Sequence, residues 1–176
     1  MRFGDFRLEK PTIDDIDAVH ALYSDPRVWK HYPSGRFTRR SETEALMRMW
    51  LEGWEREGLS SWLIWDGDRV VGICGPKLRR GSYWNLGYWI APQAQGRGIA
   101  TRAARYSVER ANAANADLPV VARLLEHNTR SRLVAERIGL RCCFAGPDTG
   151  NPNGPATRLI YADRDLTEHQ VATARA

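Results

Sequence analysis

The sequence predicts a single α/β domain, and three observations support this prediction. An aromatic, β-rich run over residues 83–90 leads through a glycine-containing loop into a stretch with helical periodicity. Several short apolar runs are separated by turns of the kind that form hairpins. The length of 176 residues suits one domain with a sizeable core, which we assign to residues 1–165, followed by a C-terminal tail at 166–176.

The first part of the chain predicts one strand followed by two helices. Residues 6–10 form the strand, and Thr12 with Asp15 caps the helix that follows. The buried face of this helix is expected to hold Ile16, Val19, His20 and Tyr23. Ser41 and Glu44 form a capping box for the second helix. Its inner face is expected to hold Leu46, Met49, Trp50 and Trp54.

Three strands and a third helix come next. Residues 61–65 and 69–75 are predicted strands joined by Asp66-Gly67-Asp68, which is a strong hairpin signal. The strand over residues 83–90 then leads into the loop over residues 95–100. The buried face of the third helix repeats every three or four residues, at Ala100, Ala103, Ala104, Ser107, Val108 and Ala111.

The last third of the chain predicts a strand at residues 120–126 and a helix at about 129–138, which Gly139 ends. Residues 140–144 and 157–162 then form a closing hairpin. Its connection over residues 146–156 is rich in proline, glycine and asparagine, so it is either a lip of the site or a mobile loop. The tail is expected to be loosely held.

Composition narrows the classes of function. The chain has 26 Lys and Arg against 21 Asp and Glu, a net charge of +5, and its basic residues are spread along the sequence. This spread argues against direct binding of nucleic acid, whereas it suits an anionic cofactor. No charged and apolar leader opens the sequence and no apolar run reaches membrane length, so we expect a soluble, cytoplasmic protein without membrane contact.

The three cysteines, Cys74, Cys142 and Cys143, lack the spacing of metal ligands. Neighbouring residues on a strand point to opposite faces, so Cys142 and Cys143 cannot share one tetrahedral metal site. We therefore expect no metal and three free thiols that are buried or half-buried.

The loop Gln95-Gly96-Arg97-Gly98-Ile99-Ala100 predicts an anion site. Its two glycines allow a tight turn that brings several backbone N–H groups to one side, next to the N-terminus of the third helix. A dinucleotide fingerprint would need a third glycine where Thr101 stands, and no P-loop pattern occurs. A phosphate or pyrophosphate is the expected ligand, and the alternative is an ordinary turn between a strand and a helix.

Together with its flanks, this loop resembles the pyrophosphate loop, Gln/Arg-x-x-Gly-x-Gly/Ala, of the GNAT superfamily of acyl-CoA N-acyltransferases. Residues 86–90, Leu-Gly-Tyr-Trp-Ile, and the strand and Asn-x-x-Ser helix over residues 122–140 resemble the RimJ/RimL-like branch, the ribosomal-protein-alanine N-acetyltransferases. Residues 6–12 and 24–28 also match, so the resemblance covers about residues 5–165. It implies the GNAT fold, a mixed, mostly antiparallel sheet with splayed central strands and helices on both faces.

The resemblance implies acetyl-CoA as the cofactor, with its pantetheine arm between the two splayed strands and its pyrophosphate on the loop N–H groups. Asn128 is expected to hold the arm, although the same residue could be only a helix cap. The residues assigned to cofactor binding are Trp89, Ile90, Ala91, Gln95, Gly96, Arg97, Gly98, Ile99, Ala100, Thr101, Asn128 and Ser131.

The implied reaction is direct attack of an amine on acetyl-CoA in a ternary complex. Ser131 is the candidate for protonating the leaving sulfur, and a backbone N–H near Ile90 is the candidate oxyanion donor. Alternatively, Ser131 is a surface residue of its helix.

The general base is not identified by the resemblance. Relatives often have a glutamate where this chain has Asn85, which accepts no proton at neutral pH but can orient a water. His31, Glu126 and His127 are substitutes in principle, although a structural role is the more common one for each. An α-amine with a pKa near 8 has an appreciable neutral fraction, which favours an α-amine or a weakly basic small amine as acceptor.

The acceptor is expected to bind against aromatic residues, and the candidates are Trp29, His31, Tyr32, Tyr83, Trp84 and Asn85. We expect the acceptor to be the α-amine at a protein or peptide N-terminus. The alternatives are a small-molecule acetylase that acts on an antibiotic, polyamine or amino acid, and a catalytically silent acyl-CoA-binding module. Asn85 stands where an acidic residue is expected, so the sequence is also compatible with the silent module. The formation of a homodimer is compatible with the sequence and is not predicted by it.

Overall fold

Eight strands form one sheet in the computed structural model, which describes residues 1–149 and 151–176. Along the chain the strands are β1 (Arg2–Phe3), β2 (Phe6–Glu9), β3 (Trp62–Asp66), β4 (Arg69–Arg79), β5 (Tyr83–Ile90), β6 (Val120–Leu125), β7 (Arg141–Pro147) and β8 (Thr157–Ala162). Their order across the sheet is β1-β2-β3-β4-β5-β6-β8-β7, in which β5 and β6 are parallel and the other neighbours are antiparallel. The predicted mixed, mostly antiparallel sheet is confirmed.

Helices cover both faces of this sheet. On one face lie α1 (Ile16–Ser24) and α2 (Arg40–Glu57), and on the other lie α3 (Ile99–Ala114) and α4 (Thr129–Arg137). A short helix, α5 (Glu168–Arg175), packs on the first of these faces near the start of β5. Among the described residues, no helix combines the length and the apolar character that a membrane span requires.

The side chains of β5 alternate between the two faces, because successive residues of a strand point in opposite directions. Leu86 and Ile90 belong to the core beneath α3, whereas Trp89 packs against the core beneath α1 and α2. Asn85 shares the face of Trp89. We call these two sides of the sheet the α3 face and the α1 face.

Local sequence signals predicted most element boundaries to within a few residues. The N–H of Thr12 donates to Asp15 Oδ2 at 2.7 Å, as the predicted cap requires. The turn at residues 66–68 joins β3 to β4, which confirms the predicted hairpin. β4 continues beyond its predicted end as far as Arg79, because it pairs with β5 along its whole second half and Arg79 lies opposite Tyr83.

The inner face of α2 differs from the prediction. Met49 is 53 % exposed, whereas Met47 is fully buried. The buried positions follow the 3.6-residue repeat of a helix, which Met49 does not fit. They are Thr43, Leu46, Met47 and Trp50.

These two methionines make a matched test of the packing. Met47→Ala is expected to lower the free energy of unfolding by about 2–5 kcal/mol, because it leaves a cavity in the core. Met49→Ala is expected to change it by less than about 0.5 kcal/mol, because the side chain faces water. Urea denaturation followed by circular dichroism measures both values, and equal losses in the two variants would contradict the assigned face.

The predicted capping box of α2 is also wrong. The helix begins at Arg40, so Ser41 already lies inside its first turn. Glu42 accepts the capping hydrogen bond instead, from the N–H of Arg39 at 2.8 Å. The cap therefore lies two residues earlier than the Ser41–Glu44 pattern indicated.

The segment that was expected to be a loose tail forms α5 and is docked on the sheet. The hydroxyl of Thr167 caps this helix by accepting from the N–H of Gln170 at 3.2 Å. The amide of Gln170 in turn donates to the carbonyl of Ser82 at 3.1 Å, and Ala174 is fully buried. These contacts correct the expectation of a loosely held segment.

The cysteines are free, but two of them are more exposed than expected. Cys74 is buried, whereas Cys142 and Cys143 are exposed on β7. β7 is the last strand of the sheet, and its register shifts between Cys142 and Phe144. Among the described residues, no group of three or more His, Cys, Asp or Glu side chains could hold a metal ion.

Candidate functional site

The two parallel strands at the centre of the sheet separate soon after they meet. Trp84 pairs with Val120 and Asn85 with Val121, and these are the two β5–β6 pairs found within the described chain. β5 continues to Ile90 and β6 to Leu125. The remaining lengths of the two strands therefore enclose a gap, which we call the splay.

The splay leaves backbone groups of β5 available to a ligand. The N–H of Ala91 donates to the carbonyl of Val71 at 2.8 Å, so this residue and its alternate neighbours bond to β4. The N–H groups of Tyr88 and Ile90 therefore point the other way, toward β6. An extended ligand can bind such groups as an additional strand would.

The glycine loop lies at the end of β5. Gly96 and Gly98 have φ values of 81° and 72°, a region that glycine adopts at little cost. Gly98 is the N-cap of α3, so the N–H groups of the first helical turn face outward beside the loop. A Cβ added at Gly96 would meet no atom within 4 Å, so the space beside this residue is open. The loop thus has the backbone geometry of an anion site.

The loop's side chains hold it in position from outside. The amide of Gln95 donates to the carbonyl of Ile90 at 2.9 Å and accepts a hydrogen bond from Arg130 of α4. Arg97 forms an ion pair with Asp66 of β3 at 2.7 Å. The remaining loop positions assigned from the sequence are buried or half-buried in the first turn of α3, and they are Ile99, Ala100 and Thr101.

The N-terminus of α4 meets β5 on the α3 face. Asn128 Oδ1 accepts from the N–H of Ser131 at 3.2 Å and so caps α4. Ser131 Oγ donates to Tyr88 Oη at 3.0 Å, and Tyr88 Oη donates to the carbonyl of Ser131 at 2.8 Å. Burial raises the pKa of Tyr88, so its phenol stays protonated at neutral pH. Two hydroxyl groups therefore lie together where α4 meets β5.

Trp89 covers the α1 face of β5. Its ring folds back over Gly87, where an added Cβ would come within 2.8 Å of a ring carbon. The ring centroid lies 6.0 Å from that of Trp29 and 5.4 Å from that of Tyr23. His31 stacks on Trp29 with a centroid distance of 6.2 Å. An aromatic wall therefore borders this side of the strand.

Two loops meet above the α1 face. The N–H of Ser34 donates to Asn153 Oδ1 at 3.1 Å, and Asn153 Nδ2 donates to Ser34 Oγ at 2.8 Å. His127 Nε2 lies 2.8 Å from the carbonyl oxygen of His31. The pKa of His31 is lowered, mainly by burial and further by the charge of His127. The Ser34–Asn153 contact joins residues 29–37 to residues 146–156, of which Gly150 lies outside the described residues. The bridge therefore fixes these two loops to one another beside the α1 face.

Asn85 and Lys77 lie opposite one another in the β4–β5 ladder, on the α1 face. Asn85 Oδ1 is buried and has no hydrogen-bond partner among the described residues. Burial lowers the pKa of Lys77 from 10.5 to about 8, and the charge of Arg79 adds to this effect. Buried polar groups normally have partners, so the Asn85 amide oxygen indicates a position that a ligand can complete.

Not every residue assigned from the sequence lies at the splay. Trp84 is 2 % exposed and belongs to the core beneath α3, so it lies on the opposite face from Asn85. Tyr83 is on the α1 face but only 1 % exposed, and Tyr32 packs against the core beneath α1 and α2. Glu126 is exposed just beyond β6. The other assigned residues line the splay, the loop or the aromatic wall.

Tyr88 and Lys77 are among the residues beside the splay that were missed from the sequence. Tyr88 lies in the run over residues 86–90, but no local pattern indicates a contact with Ser131, which is 43 positions later. Lys77 follows Pro76, beyond the predicted end of its strand. Had the hairpin register been continued past this proline, Lys77 would have been predicted to lie opposite Asn85.

Comparison with known proteins gives both a family match and structural neighbours. The sequence model for the acetyltransferase (GNAT) domain matches residues 5–141. No curated protein matches the chain significantly. The acetyltransferase (GNAT family) from Bacillus anthracis superimposes with a TM-score of 0.72 at 22% identity, covering 92% of this chain and 96% of that one.

Two further solved structures are similar in fold. RimL, the ribosomal L7/L12 alpha-N-protein acetyltransferase, in complex with coenzyme A, has a TM-score of 0.76 at 18% identity, with 93% of this chain and 96% of that one covered. The microcin C7 self-immunity acetyltransferase MccE, in complex with acetyl-CoA and AMP, has a TM-score of 0.76 at 16% identity, with 91% of this chain and 92% of that one covered. At these identities the similarity establishes the fold.

Proposed function

The chain belongs to the GNAT acetyltransferase family, and on that basis we propose that it transfers an acetyl group from acetyl-CoA to a primary amine. One observation carries the proposal. The glycine loop, the unpaired N–H groups of β5 and the hydroxyl pair at Ser131 all border the same gap in the sheet. Family membership alone leaves the acceptor open, because one fold serves many acceptors.

The described residues fit acetyl-CoA. The N–H groups of the loop and the open space at Gly96 suit a pyrophosphate, and the splay suits the extended pantetheine arm. Tyr88 directs its N–H to that arm, and the amide nitrogen of Asn128 is not used by its capping bond. RimL and MccE, which share this fold, were solved with coenzyme A and acetyl-CoA respectively. The cofactor supplies an acetyl group activated as a thioester.

The chain's residues would promote direct attack of the amine nitrogen on the thioester carbon. The N–H of Ile90 is positioned to stabilise negative charge on the carbonyl oxygen. As the new C–N bond forms and the C–S bond breaks, the amine loses one proton and the leaving sulfur gains one. Ser131 Oγ donates that proton and regains one from solvent, and Tyr88 Oη, which accepts from Ser131 Oγ at 3.0 Å in the free chain, positions the hydroxyl. A water that Asn85 orients accepts the proton from the amine.

The direct route also agrees with the state of the buried thiol on the α3 face. Cys74 lies opposite Tyr88 in the β4–β5 ladder. Burial raises the pKa of Cys74 to about 12, so it remains a thiol at neutral pH. Because the thiolate is the nucleophilic form, Cys74 is a poor acceptor of the acetyl group.

The acceptor is either the α-amine of a protein or peptide N-terminus or a small-molecule amine. The sequence resemblance favours the N-terminus. The bridge between Ser34 and Asn153 favours the small amine, because it fixes two loops to one another on the side from which an acceptor reaches the splay. The assay that separates them is release of CoA from acetyl-CoA at pH 7–9 with N-terminal peptides, polyamines and aminoglycosides. Tight binding of acetyl-CoA without turnover on any acceptor would favour the silent binding module.

Replacing Ser131 by alanine tests the proposed proton donor. We expect Ser131→Ala to lower kcat by about 10–100-fold with little change in the KM for acetyl-CoA, because the hydroxyl acts on the leaving sulfur. The matched control is Ser41→Ala, which alters an exposed serine in the first turn of α2. An unchanged kcat in Ser131→Ala would show that the cofactor's sulfur leaves without this hydroxyl.

A further inference from the structure

We propose that the acceptor amine carries a carboxylate or phosphate, which binds to a group of basic side chains on the α1 face beside the splay. This inference rests on the proposed function and names the chemistry of its acceptor. The group, which we call the basic cluster, consists of Lys77, Arg79, Arg123 and Arg158.

The β4–β5 ladder positions the first two members of the basic cluster. Lys77 lies opposite Asn85, and Arg79 lies opposite Tyr83. Directly opposed residues of an antiparallel pair share one face of the sheet, so all four side chains are on the α1 face. Lys77 is half-buried and Arg79 is exposed. This arrangement extends positive charge from the rim of the sheet toward Asn85.

The strands across the splay position the other two members. Val121 pairs with Asn85, and Arg123, two residues later, returns to the same face. Arg158 of β8 lies opposite Leu125, which is again on this face. The cluster therefore brings together residues from three strands that are distant in sequence, and Asn85 lies among them.

The basic cluster has fewer counter-charges than cations. Arg158 pairs with Asp148 at 2.8 Å, and both side chains are largely buried. Arg123 is half-buried, and its Nε is buried without a hydrogen-bond partner among the described residues. Lys77 and Arg79 form no ion pair within the described part of the chain. Among the described residues, Asp148 is thus the one carboxylate that forms an ion pair with the four cations.

The charges of the cluster act on one another. Burial lowers the pKa of Arg123, and the charges of Arg158 and Arg79 lower it further, although Tyr83 opposes the effect. The pKa of Lys77 is lowered by burial and by Arg79. A lowered pKa means that the folded chain holds the positive charge at a cost in free energy. A bound oxyanion would remove this cost, because charge-assisted hydrogen bonds are the strong ones.

The shapes of the groups suit a carboxylate or a phosphate. A guanidinium presents its N–H donors as a planar fork that matches the paired oxygens of these anions. Asn85 Oδ1 offers the opposite chemistry, because it is an acceptor without a partner and can take a hydrogen bond from an amine. An acceptor with its amine near Asn85 and its oxyanion on Arg123 would satisfy both. Polyamines and other purely cationic acceptors would be repelled.

The test compares acceptors that differ only in the anionic group. The pairs are β-alanine with β-alaninamide, O-phosphoethanolamine with ethanolamine, and the dipeptide amides Ala-Glu and Ala-Gln. Acetyl transfer is measured as kcat/KM at saturating acetyl-CoA. We expect the anionic member of at least one pair to be favoured by about 10-fold or more, the effect of one charge-assisted hydrogen bond. The pair that responds identifies a carboxylate or a phosphate, and a free or a peptide-borne one.

Variants of the cluster show whether these side chains cause the preference. Arg123→Met is expected to reduce the ratio of kcat/KM for the anionic acceptor to kcat/KM for the neutral one to about 1. Arg79→Met is a second variant in case the first fails to fold, because Arg79 is exposed and its loss leaves the core intact. Arg56→Met, which alters an exposed arginine of α2, is the matched control and should keep the preference.

The outcomes separate this inference from the proposed function. Equal transfer to both members of every pair would overturn the inference and leave the acetyltransferase intact. A preference that survives in both Arg123→Met and Arg79→Met would also overturn it. Binding of acetyl-CoA with no transfer to any member would overturn the proposed function, and the inference with it.

Discussion

Replacing Gly96 by valine is expected to weaken the binding of acetyl-CoA by about 100-fold, which corresponds to about 2.7 kcal/mol. The φ of Gly96 is 81°, which a β-branched residue adopts only with strain. An added side chain would also project into the open space beside the loop, where the proposed pyrophosphate contacts the N–H groups. Isothermal titration with acetyl-CoA measures the change.

A second glycine provides the control for strain. Gly58 ends α2 with a φ of 64°, and an added Cβ there would also meet no atom within 4 Å. Gly58→Val should therefore also lose stability in thermal denaturation, because its φ is positive like that of Gly96. It should retain the affinity for acetyl-CoA. Equal affinities in Gly96→Val and Gly58→Val would show that the loop does not hold the cofactor.

Replacing Lys77 by methionine is expected to stabilise the chain at pH 7 by about 1–3 kcal/mol. The pKa of Lys77 is about 8 in the folded chain and 10.5 in the unfolded chain. Below pH 8 the lysine is charged in both states, so the folded state bears the full cost of the partly buried charge. As the pH rises from about 8 to 10.5, only the folded state loses the proton, and the cost disappears. The advantage of Lys77→Met should therefore shrink over this interval.

Urea denaturation at pH 7, 8, 9 and 10 measures this dependence. The control is Lys30→Met, which alters an exposed lysine, and the expected change is within about 0.5 kcal/mol at each pH. A constant difference between Lys77→Met and the unchanged chain across this range would contradict the assigned environment of Lys77. Addition of a carboxylate or phosphate acceptor should reduce the advantage of the variant, because the anion stabilises the charged lysine.

Much of the fold could be predicted from the sequence because its signals are local. The hairpin at Asp66-Gly67-Asp68 and the cap at Thr12 depend on residues within a few positions of one another. The errors have local causes as well. The helical repeat in α2 passes through Met47 instead of Met49. The segment expected to be a tail forms a helix that begins after the cap residue Thr167, a local signal that the prediction did not use.

The candidate site could be predicted only in part. The loop glycines form a short pattern with a direct physical meaning, and Ser131 was indicated by the resemblance of its Asn-x-x-Ser run to the family. Tyr88 and Arg123 owe their positions to strand register and to the separation of β5 from β6, which no short pattern encodes. Lys77 was missed because the predicted strand ended at residue 75, although β4 pairs with β5 as far as Arg79. Contacts between residues far apart in sequence therefore account for what was missed.

The most direct test follows the acetyl group itself. The chain is mixed with acetyl-CoA that carries an isotope label in the acetyl carbonyl, with and without an acceptor amine, and the label is located by mass spectrometry. Direct attack in the splay predicts one labelled amide for each CoA released and no label on the protein in either mixture. Label retained on the protein without acceptor, or CoA released without labelled amide, would contradict the account.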